Sequence, residues 1–115
     1  MTNAFDDREK AFEAHFRLDQ ETAFKVNVRK DKLLGLWVAE RLGLSGQAAQ
    51  DYARQVVESD FEEPGDADVV RKVMRDLAAR DVAISEETLR KEMIRLEAVA
   101  RTQIVDEIKT KPLED

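Results

Sequence analysis

The stretch QETAFKVNVRKDKLLGLWVAERL, residues 20 to 42, decides the fold. Val26, Leu33, Leu34, Trp37 and Val38 recur at spacings of three, four and seven, which places them along one side of an α-helix. Gly43 follows at once and suits the left-handed residue that closes a helix. The start is open to two readings. Asp6 with Glu9 three residues on resembles a reciprocal capping pair, while Asp19 with Gln20 and Glu21 offers a second start. One long helix fits, and so do two helices jointed near Leu18.

Outward from this stretch the helical period continues. Ser45 is expected to cap a second helix, Gly46 to Glu58, with Ala49, Tyr52, Ala53, Val56 and Val57 inward. After a loop from Ser59 to Gly65, Asp66 is expected to accept from the free amides of a third helix, Ala67 to Arg80. Its inner face is Val70, Val73, Met74 and Leu77. The chain turns at Asp81 to Ile84. Ser85 then caps a fourth helix, with Glu86 and Glu87 at the positive end of its dipole and a stripe of Leu89, Met93, Leu96, Ala100, Ile104 and Ile108. Pro112 falls in a polar tail. Short connections between amphipathic helices make neighbours antiparallel. The expected architecture is all-α, a compact four-helix bundle over residues 19–115 with an N-terminal extension, mobile or helical, over residues 1–18.

Composition agrees and excludes much chemistry. The 115 residues suffice for one domain. Four Gly and two Pro are few for a fold built from turns and strands. Without Cys there is no disulfide, thiolate nucleophile or Cys-based metal site, and the single His15 cannot build a multi-histidine centre. The longest apolar stretch, Leu33 to Ala39, is far short of the roughly 18 residues that cross a bilayer. Asp6, Asp7 and Glu9 stand where a secretory signal would be basic and then apolar, so a cytoplasmic location is expected.

No catalytic set emerges, and an enzyme is not expected. Ser45, Ser59 and Ser85 fall at loops and helix starts, where capping accounts for them. The acidic run Glu58, Asp60, Glu62, Glu63, Asp66 and Asp68 places Gly65 sixth in a calcium loop counted from Asp60. Pro64 is then fifth and Arg71 twelfth, where a bidentate carboxylate is required, so no metal site is expected. No glycine-rich segment ends in Gly-Lys-Ser or Gly-Lys-Thr. Lys25, Arg29, Lys30 and Lys32 form the one basic cluster. Asp31 interrupts it and the net charge of −6 repels a polyanion, so nucleic acid is excluded and the cluster reads as a solvated helix face or a contact for an acidic protein.

One anomaly remains. Phe5, Phe12, Phe16 and Phe24, four of five phenylalanines, fall in the first 24 residues. On a helix Phe5, Phe12 and Phe16 lie within about 40° of one another, a ridge narrower than the 100° band of a core-facing helix. The segment is more acidic than basic, which disfavours an anionic membrane and favours a protein groove. Each buried Phe there would contribute roughly 1.5–3 kcal/mol before the cost of ordering the segment.

Three runs carry a family resemblance: Phe5-Asp6-Asp7-Arg8-Glu9-Lys10-Ala11-Phe12-Glu13, Lys32-Leu33-Leu34-Gly35-Leu36-Trp37 and Ser59-Asp60-Phe61-Glu62-Glu63. Together they resemble the ζ subunit family, small inhibitors of the F1 ATPase of α-proteobacteria. The resemblance implies a regulatory subunit, peripheral at the inner membrane through F1, whose N-terminal helix inserts into a catalytic α/β interface near the rotor and blocks hydrolysis. It also implies weak ADP or ATP binding, at a site the sequence does not place, and no other cofactor. Phe5, Phe12 and Phe16 would be the anchors, with Asp6, Asp7, Arg8, Glu9, Lys10 and Glu13 setting register through partner charges. The alternative is a helical adaptor that presents the same Phe5, Phe12 and Phe16 ridge to another protein.

Overall fold

The structure is a computed structural model that describes the backbone of residues 4–62 and 65–110 and the side chains of residues 20–62 and 65–109. Four helices follow in order: α1 (Ala4–Arg41), α2 (Gly46–Ser59), α3 (Ala67–Ala79) and α4 (Glu86–Thr110). Among the described residues there is no strand. Of the two starts compatible with the sequence, α1 takes the long one and runs unbroken past Leu18 and Asp19. At 1.5 Å per residue its 38 residues span about 57 Å, most of the molecule's longest extent of 63 Å.

The helix ends show which sequence signals act locally. Gly43 takes φ +79° and closes α1, with its N–H donating to Glu40 O and that of Leu44 to Ala39 O at 2.8 Å. Asp81 repeats the device after α3 at φ +57°, with Val82 N–H on Leu77 O. Ser85 caps α4, its Oγ accepting from the Thr88 N–H at 3.1 Å. Ser45 and Asp66 precede their helices as expected but neither side chain accepts a capping bond. The Asp66 carboxylate is drawn to a cation on α1 instead.

The main core gathers Leu34, Val38 and Leu42 from α1, Tyr52 and Val56 from α2, Val69, Val70, Val73 and Leu77 from α3, and Leu89, Met93 and Leu96 from α4. A second cluster, Val26 with Ala100 and Ile104, extends the α1–α4 contact toward the N-terminal end. Leu33 and Trp37 are partly buried, as Arg41 lies over the Trp37 ring at 3.9 Å. Ile108, expected in the α4 stripe, is 44% exposed. Val69, absent from the expected core, is fully buried. Tyr52 Oη donates to Asp76 Oδ2 at 2.8 Å and joins α2 to α3, and burial together with that carboxylate raises the phenol pKa.

Gly35 sets how closely α1 and α2 approach. A Cβ added there would stand 2.5 Å from the Ala53 Cα, a backbone atom with no freedom to yield. Gly35→Ala therefore forces the two helices apart, and the overpacking cost of roughly 1–3 kcal/mol outweighs the helix propensity gained, about 1 kcal/mol. Thermal unfolding should show a melting temperature several degrees below that of the parent chain; an unchanged or higher one would mean that the interface adjusts freely.

Candidate partner-binding site

Phe5, Asp6, Asp7, Arg8, Glu9, Lys10, Phe12, Glu13 and Phe16 stand on α1, and their side chains lie outside the described residues, as does that of His15. Their backbone is helical. α1 and α4 are joined by the packing of Val26 against Ile104 and by Arg29, which donates to Gln103 Oε1 at 2.8 Å and pairs with Glu107. From Ile104 to Thr110, where α4 ends, is about 9 Å of helix rise. That length brings α4 to about residues 20–22 of the antiparallel α1, so the backbone of residues 4–18 continues beyond its end.

Just inside that junction, α1 is fastened to the α2–α3 connection by polar groups that the sequence reading treats as solvated. Lys30 is only 4% exposed, and its Nζ donates to Asp66 Oδ1 at 3.0 Å. Asp31 is 1% exposed and hydrogen-bonds Asp60, whose Oδ2 also accepts from Asn27. Two carboxyl groups can share a hydrogen bond only if one carries a proton. Burial foremost, then the bond to Asp60 and the charges of Asp60 and Asp66, push Asp31 up to about 9, against the opposing Lys30 charge. Its Oδ1 has no partner. Burial alone would lower Lys30, but the hydrogen bond it donates to Asp66 and the charges of Asp66, Asp31 and Asp60 more than offset it and leave its pKa raised. One residue past Asp60, Phe61 stacks on Phe24 with ring centroids 5.8 Å apart. The connection is thus held to α1 at Phe24, Asn27, Lys30 and Asp31.

This corrects the reading of two charge runs. The basic cluster is split by burial, with Lys25 and Lys32 exposed and Lys30 in the interior. The acidic run is not merely a solvated loop: Asp60 and Asp66 are tied to α1, and Asp68 is 8% exposed and paired with Arg71. A signal was present for Asp31, which stands three residues before Leu34 and seven before Val38, on the apolar line of α1. A carboxylate on such a line is either an error or a buried group with a partner. Among the described residues no three His, Cys, Asp or Glu side chains are arranged to hold a metal ion, and no helix is long and apolar enough to cross a membrane.

Elsewhere the ionic chemistry is that of surface helices. The Arg95 hydrogen bond holds Glu92 below the ordinary carboxylate range, and Arg29 does the same for Glu107. Arg90 with Glu86 and Lys91 with Glu87 follow the four-residue spacing of α4 and contribute only a few tenths of a kcal/mol each.

A family model described as ATPase inhibitor subunit zeta matches residues 1–103. A protein solved by solution NMR is 49% identical, with a TM-score of 0.66 over 73% of this chain and 95% of its own. No curated protein matches.

Proposed function

Because the chain belongs to the ATPase inhibitor subunit ζ family, we propose that it is a non-catalytic regulatory subunit that inserts the N-terminal part of α1 into a catalytic α/β interface of F1 and blocks ATP hydrolysis. The observation that carries this reading is the reach of the family match, which takes in residues 1–18 together with nearly all of the bundle. The course of α1 supports it. A helix that continues past the end of α4 can enter a cleft on a partner while the bundle stays outside. Engagement would hold the chain at the membrane face through F1, with no membrane contact of its own.

The chemistry assigned to the segment follows from its sequence. Phe5, Phe12 and Phe16 bury apolar rings in the partner, and the charges of Asp6, Asp7, Arg8, Glu9, Lys10 and Glu13 fix orientation and register. Binding must repay the lost freedom of the two partners, so the anchors, rather than the total area covered, set the affinity. Phe12→Asp places an unpaired charge in an apolar pocket. Titration of F1 hydrolysis should show the inhibitory midpoint raised on the order of a hundredfold, about 2.7 kcal/mol, with the melting curve of the variant unchanged. A large fall in melting temperature would instead assign the ring to the bundle.

A further inference from the structure

Phe24, Val28 and Ile104 floor a groove of about 310 Å³ between α1 and α4, and Lys25, Arg29 and Lys32 surround it. Phe24 is 48% exposed and Phe61, stacked on it, 62% exposed; Ile108, one turn beyond Ile104, is 44% exposed. Single exposed apolar side chains are ordinary, but a contiguous aromatic pair beside an apolar floor marks a contact surface. The charge around it runs against the rest of the molecule. In a chain of net charge −6, the three groove cations sit at the i, i+4 and i+7 positions of one helix, and among the described residues no carboxylate lines the groove with them. Glu107 and Gln103 hold Arg29 in place, while Lys25 and Lys32 are exposed.

We propose that this groove is a second docking surface, taken by an acidic amphipathic helix of the partner. The apolar side of that helix would cover Phe24, Val28 and Ile104, and its carboxylates would meet Lys25 and Lys32. The identity of the partner as F1 rests on the inhibitor reading; the chemistry of the occupant rests on the groove. From Leu18 to Phe24 is about 9 Å of one continuous helix. Insertion of the N-terminal segment therefore brings the groove against the partner's outer surface, and the second contact forms at high effective concentration.

The test compares the intact chain with Lys25→Glu/Lys32→Glu in binding isolated F1 across a series of salt concentrations. We expect association at low salt to slow at least tenfold and its salt dependence to flatten. Lys25→Arg/Lys32→Arg should bind like the parent. Arg54→Glu/Lys91→Glu, an equal reversal at two other exposed positions, should also bind like the parent. Unaltered kinetics for Lys25→Glu/Lys32→Glu, or an equal loss in the control reversal, overturns the proposal. So does a parent chain that is dimeric by sedimentation and becomes monomeric on charge reversal, since the groove would then belong to a second copy. Failure of the parent to bind F1 at all overturns the inhibitor reading and this one with it. Inhibition that survives removal of residues 1–18 overturns only the insertion mechanism.

Discussion

A chain beginning at Asp19 should fold, melt cooperatively and leave F1 hydrolysis uninhibited at concentrations where the intact chain stops it. The physical basis is the division of labour along α1. Its first buried side chain among the described residues is Val26, and every member of both core clusters lies between Val26 and Ile104. Removal of the first 18 residues therefore takes nothing from the clusters formed among the described residues, and far-ultraviolet dichroism should lose only the helical signal of the removed segment. The same cut removes Phe5, Phe12 and Phe16 and all the charges assigned to register. If the shortened chain inhibits as strongly as the intact one, insertion of this segment is not how hydrolysis is blocked. If it fails to fold, the segment belongs to the bundle.

The second large effect concerns Asp31. Its pKa rises from 3.8 in the unfolded chain to about 9 in the folded one. Between those values the folded state holds a proton that the unfolded state has released, so stability falls as pH rises, by up to about 1.4 kcal/mol per unit from this one group. The contribution is whole below pH 4 and exhausted by pH 9. Asp31→Asn keeps a donor for Asp60 and removes the titration. Its denaturant midpoints should stay level between pH 5 and 8, while those of the parent fall, opening a gap of roughly 2–4 kcal/mol in favour of the variant. The window lies above the range where Glu92 and Glu107, both lowered, release stability on protonation. His15 is common to both chains and cancels in the difference. Parallel profiles would mean that Asp31 is charged in the fold and that the bond to Asp60 does not carry a proton.

The core was legible in the sequence because its faces are periodic, and the partner segment is proposed from a signal of the same kind. The Phe5, Phe12 and Phe16 ridge is a periodic signal, and so are the stripes of α2, α3 and α4. Ser85, Gly43 and Asp81 act locally, because a cap or a left-handed turn is decided by a few neighbouring residues. Neither Ser45 nor Asp66 makes the expected side-chain cap; for Asp66 the distant Lys30 prevailed over the adjacent helix start.

Linear sequence thus determined what local physics controls: four helices, their approximate ends, the inward faces, and the absence of thiol chemistry. Three outcomes awaited the packed molecule. Gly35 became the seat of a helix crossing only when Ala53 was brought against it. Lys30, indistinguishable by type from its solvated neighbours Lys25 and Lys32, was buried together with Asp31 because the α2–α3 connection closed over them with Asp60 and Asp66. Phe24 and Phe61, 37 positions apart, became one exposed surface. In each case the deciding interaction joins residues far apart in the chain, and a charge or ring takes its meaning from the group that tertiary packing sets beside it.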